Sequence, residues 1–165
     1  MSSKRWSSML EFEPNSRMRK KMKAEVEIMN SNPAFNFLAR DRETIGLDEV
    51  ESEFQECERR GVRRLLVKKD RRYVAVIDYC LQNPSDSEAW ISLFVVHRAH
   101  QGTGVAHEAY GELEALVGRS GRSRLRLAVH ASNEAGLAFW MKKGFHSFKE
   151  VDIGGKPHYC LEKEL

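Results

Sequence analysis

The chain has 165 residues, of which 41% are hydrophobic and 31% charged, enough to bury one full core but short for two domains. Lys and Arg number 27 against 24 Asp and Glu, a formal net charge of +3, too weak a field for nucleic acid to be the main partner. Cys57, Cys80 and Cys160 form no C-x-x-C pair, which argues against a disulfide framework or a zinc site and fits a reduced, cytoplasmic setting.

No basic-then-apolar leader and no apolar run near the ~20 residues of a membrane span are visible, so neither secretion nor membrane insertion is expected. A helix is predicted from about Asn15 to Asn30, where Met18, Met22, Val26 and Met29 recur at helical spacing. The basic cluster Arg17, Arg19, Lys20, Lys21 and Lys23 then reads as its solvated face. A second helix starts like a capping box at Asp48-Glu49-Val50-Glu51 and ends near Gly61. These two helices are expected to precede the first strand.

Val62 to Lys68 and Tyr73 to Leu81 read as a hairpin turning at Lys69-Asp70-Arg71. Trp90 to Val96 is almost continuously apolar, the pattern of a strand covered on both faces in the middle of its sheet. The loop His97-Arg98-Ala99-His100-Gln101-Gly102-Thr103-Gly104 follows, then a helix to about Val117. Leu125 to Val129 alternates as a strand. Asn133 caps a short helix over Gly136 to Lys143 that Gly144 closes, and a last hairpin turns at Gly154-Gly155. The histidines beside the glycine loop lack an H-E-x-x-H or comparable arrangement, and no metal site is expected.

All but two of the 11 glycines lie beyond residue 100. Gly102 and Gly104, between a strand and a helix, suit anion binding: glycine lets backbone approach a ligand, and the first helical turn offers unsatisfied N–H groups and the positive end of a dipole. A dinucleotide-binding fold is the rival reading. The third glycine of that motif is missing, however, five residues separate Val96 from Gly102, and two hairpin strands precede it.

The loop Gln101-Gly102-Thr103-Gly104-Val105-Ala106 resembles the Q/R-x-x-G-x-G/A motif of the GNAT superfamily of acetyl-coenzyme A-dependent N-acetyltransferases, in its small single-domain bacterial form. Asn133-Glu134-Ala135-Gly136-Leu137-Ala138-Phe139-Trp140-Met141-Lys142-Lys143-Gly144-Phe145 looks like that family's second signature. The resemblance is strong from Tyr73 to Leu165 and weak over the first sixty residues. It implies an α/β (α+β) fold: a central mixed, mostly antiparallel sheet with a splayed central parallel strand pair, flanked by helices. It also implies one N-acetyltransferase domain over residues 1–165, in which 1–61 form a divergent helical front on the acceptor side and 62–165 the sheet with the acetyl-CoA-binding core.

By the same resemblance, backbone groups of Phe94, Val95 and Val96 would pair with pantetheine, and the amides of Gln101, Gly102, Thr103, Gly104, Val105 and Ala106 would hold the pyrophosphate. Asn133 would bond the pantetheine arm, Trp140 would pack against pantetheine or the acceptor, and Lys142 would lie near a phosphate. The implied reaction is direct attack of an amine of a small molecule or peptide on acetyl-CoA, which is a co-substrate with no metal. A backbone N–H near Val95 or Val96 would stabilise the oxyanion.

The family's frequent tyrosine acid is replaced by Trp140, whose indole donates a hydrogen bond but is no proton source near neutral pH. Asp78, on a strand face with Val74, Val76 and Cys80, is the candidate base, Glu88 a weaker one with Asp86 beside it, and water can serve for either. The alternative function is a coenzyme A-binding regulatory module without catalysis. Dimers are common in the family, but no dimer-specific segment is visible, and the acceptor is not legible.

Overall fold

The computed structural model describes residues 9–165, so the first eight residues of the expected front segment lie outside the described part. The elements are β1 (Glu11–Pro14), α1 (Arg19–Asn30), α2 (Pro33–Arg40), α3 (Leu47–Arg60), β2 (Arg63–Lys69), β3 (Arg72–Cys80), β4 (Ala89–Val96), a 3-10 turn (Arg98–His100), α4 (Val105–Arg119), β5 (Arg124–His130), α5 (Glu134–Lys142), β6 (His146–Ile153) and β7 (Lys156–Glu164). The strands form one seven-stranded sheet in the order β1-β2-β3-β4-β5-β7-β6. It is mostly antiparallel, and β4 and β5 are its parallel pair.

That parallel register runs from Ala89, Trp90 and Ile91 to Leu125, Arg126 and Leu127, whereas β4 itself continues to Val96. The mixed α/β architecture expected from the sequence is therefore the observed one. Its front is not purely helical. β1 precedes the helices and pairs antiparallel with β2, from Glu11 against Lys68 to Pro14 against Leu65, and α2 stands between the two expected helices.

By its contacts the chain divides into two compact units: residues up to Asp78 together with Leu93–Leu113, and Tyr79–Ser92 with Glu114–Leu165. In the first unit, α1 and α3 bury Ile28, Met29, Val50 and Phe54 against Leu66, Val76 and Val95 of the sheet. The stripe expected on α1 holds at Met22, Val26 and Met29. Met18 departs from it and is 63% exposed, because it sits in extended conformation at the N-cap, before the helical turn begins.

α3 begins with Gly46 as N-cap. The Glu49 carboxylate accepts the Gly46 N–H at 2.8 Å, the acidic half of a capping box, at an earlier position than the sequence suggests. Gly61 ends the helix in left-handed conformation at φ 69°, satisfying carbonyls of the last turn. The hairpin of β2 and β3 turns through Asp70 and Arg71, both at positive φ, the backbone a two-residue hairpin demands.

In the second unit, Leu125, Leu127 and Val129 of β5 are buried, and the residues between them form the other face. β7 pairs with β5 from His158 to Glu164 and with β6 through a register shift between Ser147 and Lys149. The expected helix after Asn133 runs over Glu134–Lys142, beginning two residues earlier than the sequence spacing indicates.

Candidate functional site

The first unit carries the strand–loop–helix arrangement. β4 ends at Val96, the chain passes through a 3-10 turn at Arg98–His100, and α4 starts at Val105. Gly102 and Gly104 both sit at positive φ, 75° and 91°, a region costly for any residue with a Cβ. A Cβ on either would meet nothing within 4 Å. The glycines thus answer a backbone requirement and leave the space beside them open, which fits a loop that takes a phosphate against its amides. The first internal bond of α4 is from Glu108 N–H to the Gly104 carbonyl at 3.0 Å. The amides of Val105 and Ala106 accordingly belong to the first turn, which has no helical acceptor.

The strand end is held by side chains from the joint between α1 and α2. His97 N–H donates to the Val74 carbonyl of β3 at 2.7 Å. By the alternation of a strand, Val95 turns its amide groups towards β3, while Phe94 and Val96 turn theirs away. The Val96 carbonyl accepts from Gln101 Nε2 at 2.9 Å and from Asn32 Nδ2 at 3.1 Å. Gln101 Nε2 also donates to Asn32 Oδ1 at 2.6 Å, which closes a triangle. Ser31 Oγ accepts the Arg98 N–H at 3.0 Å.

Asp78 lies elsewhere in this unit, 4% exposed. Its Oδ1 accepts from Arg64 Nε at 2.9 Å, and Arg64 Nη2 donates to Glu25 Oε2 at 2.7 Å. Glu53 Oε2 stands 3.6 Å from the same guanidinium, and the Phe54 ring lies beneath it, 4.5 Å from Cζ to centroid. Asn15 Nδ2 donates to Glu25 Oε1 at 2.8 Å. Three carboxylates therefore share one buried cation, with Arg40 reaching Glu53 as a second.

Burial lifts the Asp78 carboxyl to about 7, against the opposing pull of Arg64 and with help from Glu25 and Glu53, and burial also raises Glu53. Cys57, beside the cluster, is pushed up to about 12 by burial and the Asp78 charge, so its thiol is inert near neutral pH.

The sign of the resulting pH dependence follows from linkage. A carboxyl whose folded pKa lies above its unfolded value contributes stability below about pH 4, and that contribution is lost as pH rises towards 7. Asp78→Asn should remove this component. Urea midpoints at pH 4.5 and pH 7.5 are expected to fall less with rising pH in the variant than in the parent; parallel midpoints for the two proteins would count against the raised carboxyl.

The remaining sequence-predicted residues lie in the second unit. Asn133 is the N-cap of α5, its Oδ1 accepting the Gly136 N–H at 2.9 Å. A Cβ on Gly136 would come within 2.5 Å of Asn133 Nδ2, so this glycine makes room for the asparagine. Trp140 is 7% exposed and packs edge-on between Phe139 and Phe145, with centroids at 4.8 Å and 5.4 Å. Lys142 is exposed at the end of α5. Glu88 lies 3.6 Å from Arg124, while Asp86 accepts from Trp90 Nε1 at 2.8 Å and pairs with Arg126 at 3.0 Å.

Arg64, Glu25 and Asn32 are the polar residues that the sequence reading passes over. Arg64 shares the inward alternation of Leu66, and Glu25 falls on the same helical face as Met22 and Met29, so periodicity marked both positions as interior. Asn32 carried no such signal, because its partners are 64 and 69 residues away.

The chain matches the family model described as Acetyltransferase (GNAT) family over residues 27–145. No curated protein matches it significantly. Among solved structures it is similar to an acetyltransferase from Thermus thermophilus, 24% identical over 96% of this chain and 99% of that one, with a TM-score of 0.80. A Salmonella typhimurium acetyl transferase that modifies the N-terminal serine of the 50S ribosomal subunit protein L7/L12 is 16% identical, covers 96% of each chain and scores 0.78. A PaiA N-acetyltransferase from Thermoplasma acidophilum, in complex with coenzyme A, is 16% identical over 95% of this chain and 99% of that one, and scores 0.64. At these identities the likeness establishes the fold, whereas the family match covers well over half of the sequence. The chain belongs to the GNAT acetyltransferase family.

Proposed function

We propose that the protein is an N-acetyltransferase that moves the acetyl group of acetyl-CoA to a primary amine of a small molecule or peptide, by direct attack in a ternary complex. The observation that carries this reading is the end of β4 followed by a loop with two open, positive-φ glycines and the first turn of α4. Amides of Gly102 to Ala106 supply donors for the pyrophosphate without any side-chain charge. Acetyl-CoA supplies an activated thioester.

The chain's own part is to orient the thioester and stabilise the charge that develops on its oxygen. Of the two candidates Val95 and Val96, the alternation of β4 favours the Val96 N–H as the proposed oxyanion donor, since Val95 turns towards β3. Asn133, Trp140 and Lys142 are proposed as further coenzyme A contacts on the strength of the second signature.

Proton transfer is the step for which the charged residues offer least. Asp78 is tied to Arg64 and Glu88 sits by Arg124, and both are best read as charge partners within the fold. We assign removal of the amine proton to water. A non-catalytic coenzyme A-binding module is the second reading, favoured by the packing of Trp140 between two phenylalanines where the family often has a tyrosine acid.

Thiol release from acetyl-CoA across a panel of polyamines, amino sugars and peptides with free N-termini separates the two. Amine-dependent release supports the enzyme; tight coenzyme A binding with no release for any amine supports the module.

A further inference from the structure

Asn32 occupies the N-cap of α2, yet its side chain makes no capping bond. Asparagine at this position ordinarily accepts an N–H of the first helical turn. Here Oδ1 accepts from Gln101 Nε2 instead, and Nδ2 donates to the Val96 carbonyl at 3.1 Å, with the Ile28 carbonyl at 3.0 Å and Ser31 Oγ at 3.1 Å also in range. The side chain is aimed at the end of β4 and not at its own helix.

The Val96 carbonyl has two acceptor directions, and Asn32 and Gln101 fill both. It is therefore closed to any further donor, including a pantetheine amide, which leaves the Val96 N–H as the available group of that residue. One residue on, Ser31 Oγ takes the Arg98 N–H. The peptide units on both sides of His97 are thus pinned from the α1–α2 joint, and the direction in which the strand enters the glycine loop is set by Asn32 and Ser31 from outside the loop together with Gln101 within it.

We propose that Asn32 is a positioning residue for acetyl transfer: by holding the Val96 carbonyl it fixes the strand end that presents the Val96 N–H to the reacting carbonyl. This rests on the acetyltransferase reading. Asn32 touches neither substrate; it acts through Val96 and, with Gln101, through the start of the loop. A donor held for a developing oxyanion is effective only in a narrow range of direction and distance, so loosening the peptide unit that follows it affects the chemical step more than binding.

The discriminating variant is Asn32→Asp. Aspartate keeps an acceptor for Gln101 and is an equally good N-cap residue, but it has no donor for Val96 and sets a charge against that carbonyl. The expected result is a fall in kcat of about 10- to 100-fold, an acetyl-CoA KM within about threefold of the parent, and a thermal midpoint within a few degrees of it. Asn32→Ala should behave alike in kcat.

Parent-like kcat in Asn32→Asp overturns the proposal, because the acceptor contact to Gln101 then suffices without a donor to Val96. A joint loss of kcat, KM and thermal midpoint overturns it too, because the role is then structural. Absence of amine-dependent thiol release by the unaltered protein fails the acetyltransferase reading and this inference with it. The two failures are therefore told apart by the parent's own activity.

Discussion

Replacing Arg64 with alanine should destabilise the protein by about 3–5 kcal/mol and lower its thermal midpoint by on the order of 10 °C. The Arg64 side chain is 3% exposed and stands between Asp78, Glu25 and Glu53. Its removal leaves buried carboxylates without the cation that offsets their desolvation. It also removes the nearer of the two guanidinium groups over the Phe54 ring, the other being that of Arg17.

The cost should come from the orphaned charges rather than from lost packing, and a second variant separates the two. Adding Glu25→Gln and Asp78→Asn to Arg64→Met neutralises the cluster and should recover much of the loss, as replacement of a whole buried ion network often does. Thermal or urea melts of the three proteins check this. An Arg64→Ala midpoint equal to the parent's would mean that the network contributes nothing to the fold. The exposed pair of Arg59 and Glu56 provides the contrast, since its removal should leave the midpoint where it is.

Gly104→Glu is expected to weaken coenzyme A binding by at least about 100-fold while leaving the fold intact. A non-glycine residue at φ 91° costs about 1–2 kcal/mol of backbone strain. A Cβ there meets no protein atom within 4 Å, so the larger effect is the carboxylate placed where the phosphates are proposed to lie. Calorimetric titration with coenzyme A, beside a melting curve, gives both quantities. Unchanged affinity would sink the assignment of the loop.

The two signatures use their glycines for opposite ends. Gly104 keeps space open for something outside the chain. Gly136 lets the chain close on itself, because a methyl group there would strike Asn133.

Much of the sheet was legible because strands carry their instructions locally. Leu125, Leu127 and Val129 alternate, Trp90 to Val96 run apolar, and the turns at Asp70-Arg71 and Gly154-Gly155 are marked by their own residues. β1 was missed for the converse reason. Its four residues, Glu11 to Pro14, have too few apolar positions and end in proline, so the strand exists by virtue of its partner β2. α2 was missed because eight residues give barely two turns of periodicity.

At the candidate site, the glycine loop and the Asn133 cap were visible as local patterns. The apolar strand face that Asp78 shares with Val74, Val76 and Cys80 was legible, but its charge partner was not, because charged residues such as Arg64 and Glu25 are read as exposed by default and their meeting depends on residues 39 apart in the chain. The triangle of Asn32, Val96 and Gln101 was hidden in the same way.

The two ends of the sheet differ in a manner that bears on how copies of the chain behave when crowded. At one end β1 is only four residues long and finishes at Pro14, which has no N–H to offer. At the other, β6 carries Lys149, Glu150 and Asp152 and its pairing is interrupted by the register shift after Ser147. Among the described residues neither border presents a long, flat, uncharged row of amide groups. Strand-to-strand zippering between molecules, the usual first step towards fibrous aggregates, is therefore disfavoured at both borders, by brevity and proline at one and by charge and an interrupted register at the other.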